Sequence, residues 1–236
     1  MIARIWVYLS ATPLLWLTAT LAAYEAGAWI FGRFGRHPLL NPVLIAVAVL
    51  IAVLAATGTP YETYFDGAQF VHFLLGPATV ALAVPLFENR AHVRAALLPM
   101  LAALAAGSLT AIVSAVAIAR LLGARGETLA SMAPKSVTTP IAMAISEQIG
   151  GLPSLTAAFV IATGICGAVI ATPLLNLLRL RDYRARGFAA GLAAHGLGTA
   201  RAFQMDEMAG TFAGIALALN GLATSLLVPA LARLMR

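Results

Sequence analysis

Apolar runs, most of them long enough to cross a bilayer, follow one another along the whole chain with only short polar turns between them. The first covers about residues 5–31 and carries Trp6, Tyr8, Trp16 and Trp29, aromatic residues suited to membrane interfaces, with Glu25 near its interfacial end. A basic turn with Arg33, Arg36 and His37 precedes a second helix over about 38–56, which opens on prolines, where a missing N–H does least harm. An acidic loop at 61–66 leads to a third run over about 68–87, broken at Gly76 and Pro77. After Glu88, Arg90, His92 and Arg94 comes an uninterrupted helix over about 95–122, and further runs occupy about 128–149, 153–178, 187–203 and 208–234. The pattern predicts an all-α polytopic membrane protein, a single membrane domain over 1–236, with about seven transmembrane helices plus a re-entrant hairpin.

The hairpin is the run at 128–149. Pro134 and Pro140 each remove a backbone donor, and Lys135 between them costs about 3 kcal/mol or several times that at mid-bilayer. Thr139 reads as an N-cap with Pro140 at the first helical position, so a short helix over about 141–149 starts there with its free N–H groups facing Lys135. That is an anion site in outline; the alternative is a surface loop between two ordinary helices with Lys135 solvated. Charge decides between a crossing and a hairpin. If 128–149 crosses, the basic turn at 179–186 falls outside; if it dips in and returns, that turn joins the other basic turns in the cytoplasm. A half-helix of about 10 residues is about 15 Å long, half of a roughly 30 Å hydrocarbon core. The tip at 135–139 then lies near mid-membrane, where irregular backbone survives only beside a cavity or inside protein. The same rule places Glu62 and Asp66, and the turn with Gln204, Asp206 and Glu207, outside, and Arg233 and Arg236 inside.

Composition narrows the class. Of 236 residues, 61% are hydrophobic and 10% charged, against about a quarter charged in a soluble domain. The net charge of +6 would point to nucleic acid in a soluble protein, but here the arginines sit in short turns, so the partner is the lipid bilayer and not nucleic acid. The single cysteine, Cys166, excludes an internal disulfide and a cysteine-based metal cluster, and reads as a small packing residue. No metal or cofactor is expected.

A second broken helix is predicted at 191–201, where Gly196 follows His195, Gly198 precedes Thr199, and Arg201 comes within a turn beyond. Pro77-Ala78-Thr79-Val80 and Pro134-Lys135-Ser136-Val137 share a proline, a hydroxyl two residues on and a valine, an echo that suits an internal repeat with broken helices at midplane. Thr79 either lends a hydroxyl to a site or back-bonds its own helix. Asn220, midway along the last helix, is either interhelical glue or a ligand contact. Glu147 reads as solvated or salt-bridged.

Asn41-Pro42, Leu75-Gly76-Pro77-Ala78-Thr79-Val80-Ala81-Leu82-Ala83-Val84-Pro85-Leu86, Pro134-Lys135-Ser136-Val137-Thr138-Thr139-Pro140-Ile141-Ala142 and Ala194-His195-Gly196-Leu197-Gly198-Thr199-Ala200-Arg201 resemble the LrgB/CidB family over nearly the whole chain. Phe87 stands where the family's first motif has a tyrosine. The resemblance implies a bacterial inner-membrane, multi-pass protein and two competing functions. One is transport of a small 2-oxo or 2-hydroxy monocarboxylate such as glycolate, glycerate, pyruvate or lactate, as in the related plastid glycolate/glycerate translocator. The other is a holin/antiholin-like modulation of murein hydrolase activity and autolysis beside a small LrgA/CidA-type partner. Homo-oligomerisation is left open.

On the transport reading Lys135 neutralises the carboxylate, and Ser136, Thr138 and Thr139 with the helix N-terminus at Pro140 donate hydrogen bonds to it. His195 and Arg201 then offer a second anion contact or a proton relay; the alternatives are a histidine held by a backbone carbonyl and a snorkelling arginine. An enzyme is not expected: there is no Gly-x-Ser-x-Gly elbow, His-Glu-x-x-His or paired aspartate motif to accompany Ser136 and His195.

Overall fold

The computed structural model describes residues 12–35, 37, 40–74, 77, 80, 81 and 83–234. Helix is the only regular structure among them, and the chain divides into two compact units, Met1–Ala81 and Leu82–Arg236. Four helices are long and apolar enough to cross a membrane: Pro13–Arg33, Leu97–Leu121, Pro153–Leu177 and Glu207–Arg233. Pro42–Thr57 is apolar but shorter. The chain is therefore a multi-pass membrane protein, and by this measure the expected count of about seven is not reached among the described residues.

The first unit holds α1 (Pro13–Arg33), α2 (Pro42–Thr57) and α3 (Tyr61–Phe73). Asn41 starts α2 by accepting from Val43 N at 2.9 Å and Leu44 N at 3.4 Å, with Pro42 in the first turn, and Gly58 at φ 64° ends it. Ala23, Ala46 and Leu50 form its small core. The acidic stretch expected as a loop is instead the start of α3. Its Tyr64 meets Trp16 edge to face at 5.8 Å, and its Gly67 rests on the Pro13 carbonyl, so packing on α1 holds it helical. Of the expected break, residues 75, 76, 78 and 79, Thr79 among them, lie outside the described residues, as do Trp6, Tyr8, Arg36 and Arg236.

The second unit contains α4 (Ala83–Glu88), α5 (Arg90–Ala95), α6 (Leu97–Leu121), α7 (Glu127–Met132), α8 (Thr139–Gln148), α9 (Pro153–Leu177), α10 (Tyr183–Met205) and α11 (Glu207–Leu234). α6 and α11 run parallel: Met100 clusters with Phe212 and Ala216 near their starts, and Ile112 with Val228 toward their ends. Ile149, just before α9, packs beside that second cluster, so α9 begins at the end of the unit where α6 and α11 finish and runs back along α10.

α10 is not one rod. Ala194 (φ −125°, ψ 17°) and His195 (φ 42°, ψ −130°) leave helical geometry and split it into arms over 183–193 and 196–205. Gly198 lies against the Ala190 carbonyl, which a straight helix would hold about 12 Å away along its axis. Thr172 Oγ1 reaches Met205 Sδ at 2.9 Å, and Phe203 covers Gly210 at the start of α11. The second arm therefore folds back along the first, and Met205 returns to the end where Tyr183 began. Gly187 and Gly191 of the first arm touch the Ala209 and Ala213 carbonyls of α11, a contact only glycine permits.

This reversal corrects the expected topology. The 179–186 turn and the 204–207 turn lie at the same end of the unit, and Arg233 lies at the other. The charge rule assumed that the run at 187–203 crosses; a fold-back changes the parity of every later helix.

Candidate functional site

Two chain breaks meet in the second unit. The first is residues 133–138, between α7 and α8. Lys135 N donates to Met132 O at 3.1 Å and Val137 N to Pro134 O at 3.3 Å, so the prolines are accommodated in tight turns. Val137 is fully buried with Ala142 and Val160. Two hydroxyl bridges hold the arms to the start of α9: Ser131 Oγ accepts from Leu152 N at 2.8 Å, and Thr156 Oγ1 donates to Ser146 Oγ at 2.6 Å. α8 starts one residue earlier than expected. Thr138 is its N-cap and makes no side-chain cap bond, while Thr139 and Pro140 form the first turn. The leading N–H groups of α8 have no acceptor within the helix and point toward the break.

The second break is at His195. Its Nε2 lies 2.9 Å from Val160 O, Thr199 Oγ1 donates to His195 O at 2.9 Å, and the side chain is buried. The carbonyl contact is the alternative that was foreseen for this histidine. The second arm of α10 begins here, so a second helix N-terminus opens at the same place.

Asn220 joins the two breaks. Its Nδ2 donates to Ser136 O at 3.1 Å and to Leu192 O at 3.0 Å, while Oδ1 accepts from Ser108 Oγ at 2.7 Å and Thr224 Oγ1 at 3.3 Å. Both donors and both lone pairs of the amide are thereby used inside the protein. The Leu192 carbonyl needs this partner because the helix that would have supplied one ends at Ala194. Asn220 lies midway along α11 and Ser108 near the middle of α6, so the junction is at half height of the spans. Of the two readings of Asn220, the geometry has the character of glue.

Lys135 is half-buried, donates to Ser136 Oγ at 3.3 Å, and has no ion-pair partner among the described residues. It lines a cleft of about 680 Å³ whose other walls come from α6, from Thr163, Cys166 and Gly167 of α9, and from the alanines of the first α10 arm. Ser136 is buried, and Thr138 and Thr139 are half-buried beside it. Arg201 is not brought to this group by any contact in the structure: it donates to Gln204 Oε1 at 3.2 Å on its own arm. Its Nε, Arg186 Nε and Thr211 Oγ1 are buried without a hydrogen-bond partner.

Ser108 and Thr224 were missed by sequence reasoning, since a lone hydroxyl in an apolar helix carries no signal without its partner. Cys166 was read as packing and instead faces the cleft as an exposed thiol. No group of three or more metal-ligating side chains occurs among the described residues.

Comparison with known proteins gives a family and no fold template. The LrgB-like family matches residues 20–234. YwbG of Bacillus subtilis (strain 168), an uncharacterized protein, is 36% identical over 213 residues, 90% of this chain and 94% of that one. The holin-like protein CidB of Staphylococcus epidermidis is 30% identical over 224 residues, 95% and 96% of the two chains. The antiholin-like protein LrgB of Bacillus mycoides is 31% identical over 218 residues, 92% and 95%. No solved structure matches the chain.

Proposed function

The chain belongs to the LrgB-like family, and from that premise we propose that it is a secondary transporter of small monocarboxylates of the glycolate, glycerate, pyruvate or lactate type in the bacterial inner membrane. The observation that carries this reading is the Asn220 junction, which ties two chain breaks together at the middle of the spanning helices beside a lysine with no ion-pair partner among the described residues. Half-helix N-termini at midplane are the usual anion sites of transporters, and a bound carboxylate relieves the cost of Lys135. In this reading 127–148 and α10 are re-entrant hairpins entering from opposite faces. Lys135, Ser136, Thr138 and Thr139 hold the carboxylate, and His195 shapes the second tip.

Alternating access follows from moving the two tips relative to the rest of the protein. Because Asn220 also binds Ser108, α6 belongs to the moving body and is not the scaffold it slides past. Identical cross-links between the tips and 100–120 in both states are then expected, and a change in them would separate α6 from the core.

The second reading is a holin/antiholin-like modulator of murein hydrolase activity and autolysis acting with an LrgA/CidA-type partner. The names of the CidB and LrgB relatives favour it. Chemical modification of Lys135 separates the two. Protection by pyruvate or glycolate supports a carrier; an identical modification rate with and without acid supports the regulator.

A further inference from the structure

The cleft at Lys135 has a chemistry of its own. Its volume, about 680 Å³, is in the range that takes drug-sized ligands, far more than a two- or three-carbon acid fills. Among the described residues Lys135 is its only charged wall residue, and Thr163 and Cys166 are the only side chains there with a hydroxyl or thiol. The remainder is apolar: Met132 on α7, Phe159, Ile170 and Leu174 on α9, Ile118 on α6, and a floor of alanines from α10. Nothing in this wall can hydrogen-bond a row of hydroxyls along a substrate. A hydroxyl carried into it would lose its water without compensation, whereas each methylene would gain.

Resting on the reading of Lys135 as a carboxylate anchor, we propose that the preferred ligand of this cleft is a monocarboxylate with an apolar body, held by Lys135 at its head and by α6, α9 and the first α10 arm along its tail. Among the three-carbon acids of the proposed function, pyruvate, which carries no hydroxyl, therefore binds best and glycerate, with two, binds weakest. Straight-chain acids of increasing length bind progressively more tightly until the cleft is full.

Cys166 supplies the assay, because this single thiol is exposed in the same cleft. Purified protein in liposomes is labelled with a maleimide in the presence of acetate, butyrate, hexanoate, octanoate or glycerate, with octanol as the uncharged control for partitioning into the bilayer. The expected protection constants tighten about fourfold per added methylene, the ratio equivalent to ~0.8 kcal/mol per buried CH₂. Octanol protects weakly, and Lys135→Gln abolishes protection by every acid. Ala162→Phe, on an exposed wall position of α9, is expected to weaken hexanoate and octanoate about tenfold more than acetate. Equal or tighter protection by acetate and glycerate than by hexanoate overturns the apolar-body proposal while leaving the carboxylate anchor standing. Protection by no acid, or protection that persists in Lys135→Gln, removes the anchor itself and the proposal with it.

Discussion

Replacing Asn220 by alanine removes four hydrogen bonds at once and strands two buried carbonyls, Ser136 O and Leu192 O, in the middle of the membrane domain. A buried acceptor left without a partner costs about 1–3 kcal/mol, so two give roughly 2–6. Polar interactions between transmembrane helices measure less, ~0.6 kcal/mol on average and up to ~1.7, because the unfolded chain in the bilayer finds other partners. With both carbonyls freed by chain breaks and no helix to take them back, the expected loss is about 2–4 kcal/mol. Unfolding in mixed micelles by added SDS, followed by helix content, reads this directly. Ser108→Ala supplies the control. Alone it should cost about 1 kcal/mol, and in the Asn220→Ala background close to nothing, since the acceptor is already gone. An Asn220→Ala protein within about 0.5 kcal/mol of wild type would refute the junction, as would a Ser108→Ala cost that is the same in both backgrounds.

Gly191→Leu drives a side chain into the Ala213 carbonyl and should lower stability by about 1–3 kcal/mol in the same assay. Gly107→Ala, which meets only the flexible end of Leu192 at 3.0 Å, should cost clearly less. His195 adopts φ 42°, ψ −130°, a conformation that costs a side-chain-bearing residue about 1–3 kcal/mol. His195→Gly should therefore be more stable than His195→Ala by at least about 1 kcal/mol, although both lose the Val160 O contact; the reverse order would mean that the turn is not strained. Arg181→Cys and Glu207→Cys, each in a Cys166→Ala background, should react with an impermeant maleimide from the same side of the membrane. Labelling from opposite sides would make α10 a crossing helix.

Most of the second unit was legible in the sequence because its signals are local. The apolar runs over 95–122, 153–178 and 208–234 gave helices matching Leu97–Leu121, Pro153–Leu177 and Glu207–Leu234 to within two residues. Pro134 and Pro140 announced the first break, since each cancels a backbone donor wherever it occurs. The glycines beside His195 predict a broken helix that still crosses, not a fold-back. Glycines at 196 and 198 are compatible with either, and what makes the reversal is the fit of Gly187, Gly191 and Gly198 against carbonyls of residues elsewhere in the chain. The charge rule then failed for the end of α11 because it counts crossings, and one crossing was absent. At the site, Lys135 was visible as an expensive residue in an apolar run. The partners of Asn220 were not, because Ser108 is 112 positions away and Ser136 is 84. The acids beside Tyr61, Tyr64 and Phe65 predict a loop, whereas ring contacts among the three and the edge-to-face contact of Tyr64 with Trp16 decide for a helix.

Uptake into proteoliposomes tests the central claim most directly. Wild-type protein and Lys135→Ala, each with and without an LrgA-type partner, would be compared for entry of radiolabelled glycolate, glycerate, pyruvate and lactate under an imposed pH gradient. Saturable uptake by the wild type that is lost in Lys135→Ala is the result expected of a carrier whose anion site lies at the junction of the two breaks. No uptake under any of these conditions would contradict it and leave the holin/antiholin-like regulator as the function of the chain.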